Sequence, residues 1–177
     1  MSVVMEATAH APVDQRRSTL DMLYVAHYPE ALRLARVLAG DPEAARDLAQ
    51  EAFVRVAGRF VHRRAPEDFG AYVRKVIVNL HRSQLRRLRL ERLFMPRLLT
   101  RREPTDPISA MADQDRLRAA LQVLGARQRA AVVLRYCLDL SESQVADSLN
   151  CSVPAAKHLV ARGLDRLRQE LEGDDDE

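Results

Sequence analysis

Between Glu67 and Leu93 the apolar residues Phe69, Tyr72, Val73, Val76, Ile77, Leu80 and Leu88 recur mostly every three or four positions. That spacing puts them on one stripe of an α-helix, which must bury that side against other helices. Lys75, Asn79, Arg82, Arg86 and Arg89 recur with the same period and form a second stripe. From Arg82 to Arg102 there are eight arginines and one acid, Glu91. A merely solvated face mixes both signs, because like charges four residues apart repel. One sign, mostly arginine with an asparagine in the row, fits a face that tracks phosphates.

The remaining composition agrees with helices packed on helices. The 177 residues allow one ordinary domain or two small ones. A hydrophobic share of 47% with 5% aromatic and no Trp points to aliphatic packing. Six glycines and few alternating runs predict an all-α chain. Lysine occurs only at Lys75 and Lys157, so 26 of the 28 basic residues are arginine, which suits bidentate recognition of phosphate and base. The net charge of +3 hides a polar layout, because the chain ends in Glu170, Glu172 and an acidic run from Asp174 to Glu177.

No apolar signal segment opens the chain and no run of about 18 apolar residues follows. A cytoplasmic, reducing setting is expected, with Cys137 and Cys151 as small buried hydrophobes. His10, His27, His62, His81 and His158 show no metal-ligand spacing. Neither a phosphate-cradling glycine loop nor a nucleophile elbow is present. The sequence predicts no catalytic residue, no metal, no cofactor and no enzyme activity.

In chain order, Met1–Ser18 reads as a flexible leader. From Thr19 a helix is predicted, with Leu20, Leu23, Tyr24, His27, Ala31, Leu34, Ala35 and Leu38 on its buried face. Gly40 ends it, and Asp41-Pro42-Glu43 opens the next helix with a cap, a first-turn proline and an acid at the positive end of the dipole. That helix buries Ala45, Leu48, Ala49, Ala52, Phe53 and Val56. Asp47, Gln50, Glu51 and Val54 fall on an outward row. His62-Arg63-Arg64-Ala65-Pro66 is a short basic connection into the helix described first. Around residues 94–110 three prolines mark a linker.

Past it, Leu117, Leu121 and Leu124 stripe one helix, Gly125 breaks it, and Arg127–Tyr136 makes another. Ser141-Glu142-Ser143-Gln144 is a capping box that opens a helix ending at Leu149. Asn150 suits a left-handed C-terminal position, and Ser152 caps a last helix with Pro154 in its first turn. Val145, Ala146 and Leu149 are predicted to pack against Val153, Ala156, Val160, Leu164 and Leu167. Two helices joined by a three-residue turn form a helix-turn-helix, whose second helix offers N-terminal side chains to a DNA major groove. The outward residues there are Ala155, Lys157, His158, Ala161 and Arg162. Gly163 inside this helix costs about 1 kcal/mol relative to Ala with no local reason for it.

These residues resemble a known family. Asp47-Leu48-Ala49-Gln50-Glu51-Ala52-Phe53 resembles the D-x-x-Q-E-x-F core of region 2 of bacterial sigma factors. Tyr72 to Leu80, with Arg82 and Arg86-Arg87, resembles the end of that region. Leu124 through Lys157 resembles region 4. Together they resemble the extracytoplasmic-function group of sigma-70 factors over about Leu20 to Leu171. The resemblance implies two small helical domains, a region 2-like bundle over 19–93 and a region 4-like helix-turn-helix over 111–172, joined by a flexible linker and followed by an acidic tail at 173–177.

It also implies partners: core RNA polymerase, through its β′ clamp helices and β flap, and promoter DNA. Asp47, Gln50, Glu51 and Val54 fall where the family meets the clamp helices. His62, Arg63 and Arg64 fall where it captures a base flipped from the −10 element, and Lys75, Asn79, Arg82 and Arg86 where it faces the −10 duplex. Ser152, Ala155, Lys157, His158, Ala161 and Arg162 fall where it reads the −35 element. His158 stands where a serine is common and Leu159 where an arginine is common, so the −35 sequence is not fixed by the resemblance. Members of this group are commonly held by an anti-sigma factor, and insertion into a membrane is not implied. Two other readings stay open on the residues alone: a helix-turn-helix regulator that acts without polymerase, and a helical adaptor that does not touch DNA.

Overall fold

The computed structural model describes residues 13–60, 68–94 and 112–173, and every regular element among them is helical. The order is α1 (Val13–Ala39), α2 (Pro42–Phe60), α3 (Phe69–Phe94), α4 (Ala112–Val123), α5 (Ala126–Val132), a π-helical turn (Val133–Cys137), α6 (Glu142–Leu149) and α7 (Val153–Gly173). α1 begins six residues ahead of Thr19 and takes in the end of the stretch read as a leader. The first twelve residues, the basic connection with His62, Arg63 and Arg64, nearly all of the linker, and the tail from Asp174 lie outside the described residues.

α1 and α2 pack as a hairpin. Gly40 turns the corner at φ +77°, a left-handed conformation that a Cβ disfavours. The Asp41 carboxylate then accepts from the Ala44 N–H at 2.7 Å, capping α2. Small residues allow the close approach: Ala31, Ala35, Ala45, Ala49 and Ala52 are buried, with Leu34, Leu38, Leu48 and Val56 between them. α3 closes the bundle with Phe69, Val73 and Ile77. Phe53 meets the Tyr24, Tyr28 and Phe69 rings at centroid distances of 5.0, 5.7 and 5.9 Å.

Several predicted stripes overrun the surface that covers them. Tyr24 on α1 and Leu88 on α3 are exposed, as are Leu117 on α4 and Val153 at the start of α7. Cys137 is exposed and Cys151 half-buried, so neither is the fully buried hydrophobe expected.

The C-terminal half reproduces the predicted cap chemistry. The Gln144 N–H donates to Ser141 Oγ at 3.3 Å, and the Ser141 N–H donates to Gln144 Oε1 at 2.8 Å. Asn150 takes the left-handed conformation, φ 50° and ψ 58°. Ser152 Oγ accepts from the Ala155 N–H at 3.4 Å. Gly163 now has a reason: a Cβ there would lie 2.6 Å from Val132 Cγ2, because α7 lies directly on α5. Gly163→Ala is therefore expected to lower stability by about 1–2 kcal/mol, overpacking outweighing the helix propensity gained. Urea unfolding checks it; an unchanged or raised midpoint would mean that Val132 moves aside freely.

The two halves share one core. α3 packs against α6 and α5, and α1 against the π-helical turn. Arg129 of α5 is buried at this joint and donates to the Leu38 carbonyl of α1 at 3.1 Å. It also donates to Gln122 Oε1 at 2.6 Å and to the carbonyls of Gln122 and Leu124 at 2.9 and 3.2 Å. His81 of α3 is buried near Arg129.

Candidate polymerase and nucleic-acid surfaces

Helix α2 has two faces of opposite character. Its alanine and leucine face is sealed against α1 and α3, while Asp47, Gln50 and Val54 project into solvent. Val54 is 73% exposed, an apolar side chain in a polar row that none of the described residues covers. Glu51 is half-buried and pairs with Arg55 one turn on. The predicted row is thus a single accessible strip.

The basic stripe of α3 divides between two clefts. Lys75 and Asn79 line a cleft of about 400 Å³ between α2 and α3, together with Arg55, Arg59, Tyr72 and Ser83. Arg59 donates to the Tyr72 hydroxyl at 2.5 Å. Guanidinium groups, an ammonium, an asparagine amide and a phenol ring suit the phosphate and base of a nucleotide that has left its stack. Arg55, Arg59, Tyr72 and Ser83 were not among the predicted site residues. Their signal existed in part: Arg55 and Arg59 are four apart on α2, on one side of that helix. That this side meets the Lys75, Asn79 row depends on how α2 and α3 pack.

Arg82 and Arg86 lie two turns further along α3 and line a different cleft, against Gly125, Ala126, Arg127, Gln128 and Leu159 of the C-terminal half. The structure does not bring them together with Lys75 and Asn79 in one pocket. His62, Arg63 and Arg64 lie outside the described residues.

The helix-turn-helix is complete. Val145, Ala146 and Leu149 of α6 are buried with Ala156 and Leu167 of α7. The opposite side of α7 leaves Lys157, His158, Ala161 and Arg162 exposed, with Ser152 exposed at the cap and Ala155 half-buried. Lys157 pairs with Glu142 of α6 at 2.9 Å, both side chains about half exposed. An exposed pair of this kind contributes little, so the ammonium is free to turn toward a phosphate. Among the described residues no group of three His, Cys, Asp or Glu is placed to hold a metal ion. No helix among them is long and apolar enough to cross a membrane.

Two family models match this chain. A family model for Sigma-70 region 2 matches residues 23–91, and one for Sigma-70, region 4 matches residues 114–167. The RNA polymerase sigma-E factor of Streptomyces avermitilis is 36% identical over 144 residues, covering 81% of this chain and 80% of that protein. The ECF RNA polymerase sigma factor SigE of Mycolicibacterium smegmatis is 32% identical over 159 residues, covering 85% of this chain and 61% of that one. Among solved structures, the sigma factor RpoE in complex with the anti-sigma factor NepR from Bartonella quintana superposes with a TM-score of 0.72. It is 21% identical and covers 90% of this chain and 98% of that chain, a likeness of fold.

Proposed function

This chain belongs to the sigma-70 family of RNA polymerase sigma factors, in its extracytoplasmic-function group, and we propose how its surfaces divide the work of that family. It binds core RNA polymerase and directs it to promoters, a function the family performs without catalysis of its own. The row Asp47, Gln50, Glu51 and Val54 meets the β′ clamp helices: three polar groups set the register and Val54 supplies the apolar contact. The C-terminal domain contacts the β flap.

The cleft of Arg55, Arg59, Tyr72, Lys75 and Asn79 receives a nucleotide of the melted −10 element, fed by the basic connection His62, Arg63 and Arg64. Unstacking a base costs a few kcal/mol, which stacking and charged contacts in such a cleft offset. Arg82 and Arg86 hold phosphates of the adjoining duplex. Ser152, Ala155, Lys157, His158, Ala161 and Arg162 read the −35 element through the major groove. The chain works in the cytoplasm, where its polymerase is, and is a substrate for capture by an anti-sigma factor.

The exposed row on α2 carries this reading, because a DNA-binding module acting alone has no use for it. The test is co-elution of the purified protein with core RNA polymerase. Asp47→Arg and Glu51→Arg are each expected to weaken association about tenfold or more, since a reversed charge adds repulsion to the lost contact. Asp47 is exposed, so that variant keeps its fold, which circular dichroism verifies. Undiminished binding by both variants would remove the clamp-helix assignment.

A further inference from the structure

The cleft that takes Arg82 and Arg86 away from the rest of the α3 stripe is unusual in its charge. It has a volume of about 380 Å³ and runs between α3 and the start of α5, with Leu159 of α7 at its side. Arg82, Arg86 and Arg89 enter from α3 and Arg127 from α5, and among the described residues no carboxylate lines it. Arg89 also lines an adjoining cleft of about 300 Å³, where Arg129 and Gln122 contribute. The nearest acid along α3, Glu91, is engaged with Arg87 at 2.7 Å. Among the described residues Arg86 donates a long bond, 3.4 Å, to Ser83 Oγ.

The arginines sense one another. Burial, and then the Arg127 and Arg86 guanidinium groups, lower the proton affinity of Arg82. Folding has thus brought like charges from two distant parts of the chain to one joint, which weakens the joint unless an anion enters. Each guanidinium is a planar fork matched to phosphate oxygens. The cleft is at the small end of ligand pockets and large enough for a few linked phosphates.

We propose that this cleft binds a small oligophosphate, an anion of the triphosphate class, which bridges α3 to α5 and holds the two halves of the chain together. Linked phosphates offer more oxygens than a single phosphate to forks that enter from two helices. Occupancy also withdraws Arg82 and Arg86 from DNA, a consequence that rests on their assignment to the −10 duplex; the binding itself does not.

The test is calorimetric titration of the full chain with sodium tripolyphosphate at fixed ionic strength, against sulfate and against a short non-promoter DNA duplex. Arg127→Ala is the diagnostic variant, because Arg127 is exposed and lies outside the assigned DNA and polymerase residues. Arg46→Ala on α2, also exposed, removes the same charge elsewhere. Saturable tripolyphosphate binding, weakened about tenfold or more by Arg127→Ala and unchanged by Arg46→Ala, is expected. Duplex affinity should be the same in all three proteins. Absence of saturable binding, equally tight sulfate binding, or equal losses in both variants would overturn the site. A duplex affinity that falls in step with tripolyphosphate affinity in Arg127→Ala would make the cleft ordinary nucleic-acid surface, and would equally overturn it.

Discussion

Arg129→Ala is expected to destabilise the protein by about 3–5 kcal/mol, a large part of the 5–15 kcal/mol that a chain of this size commonly commands. One guanidinium donates to three backbone carbonyls, those of Leu38, Gln122 and Leu124, and to the Gln122 side chain. Leu38 and Gln122 lie in the last turns of α1 and α4, and Leu124 follows α4 directly, so the carbonyls are those that helix ends leave without intrahelical partners. Truncation removes all four bonds and opens a cavity at the joint between the halves. Arg129→Met separates these effects: it refills much of the volume but donates nothing. If the bonds dominate, Met restores less than half of the loss. Arg129→Lys should also fall short, because an ammonium on a narrower stem cannot hold both helix ends at once. Urea unfolding of the four proteins supplies the numbers. An Arg129→Ala midpoint equal to that of the intact chain would show that water takes over the carbonyls at no cost.

The same residue marks the limit of reading by sequence. The helices were legible because their signals are local. Gly40, the Ser141 and Gln144 box, Asn150 and the α2 alanine face each act within a few residues of where they stand, and each appears in the structure where the pattern puts it. Outward rows such as Asp47, Gln50 and Val54 were legible for the same reason: a helix fixes which side chains share a face.

Arg129, by contrast, is one of 26 arginines and has no periodic signature. Its burial depends on the end of α1, some ninety positions away in the chain. Gly163 was visible as an oddity but its cause, the Val132 methyl, lies on another helix. Leu88 and Leu117 continue an apolar period past the end of the surface that covers it. The α3 stripe was read as one surface, and helically it is. It divides between two clefts because the C-terminal half packs over its later turns. Such features are properties of two elements together, and a pattern within one of them does not contain them.

His81 makes the joint between the halves acid-sensitive. Burial, and then the positive charge of Arg129, hold its proton affinity down to about 4 from the ordinary 6.5. In the folded protein the ring is therefore neutral at pH 7, and its Nε2, buried without a hydrogen-bond partner among the described residues, has no acceptor to receive a proton's charge. The unfolded chain takes up this proton near pH 6.5, the folded chain only near 4. Stability from this group is thus complete above pH 6.5 and is lost as the pH falls toward 4. Across that window the unfolding free energy should drop by about 1.4 kcal/mol per pH unit.

His81→Leu places an apolar side chain in a buried position and removes the titration. Comparing the two proteins by urea unfolding at pH 7, 6, 5 and 4 cancels the contribution of the surface carboxylates they share. The intact chain should lose stability on acidification more steeply than His81→Leu, and the gap should open below pH 6.5. Parallel curves would mean that the joint admits the protonated ring, either because water reaches it or because Arg129 moves away. A gap that opens above pH 7 instead would require a ring that is charged in the folded state, the opposite of what its burial beside Arg129 dictates.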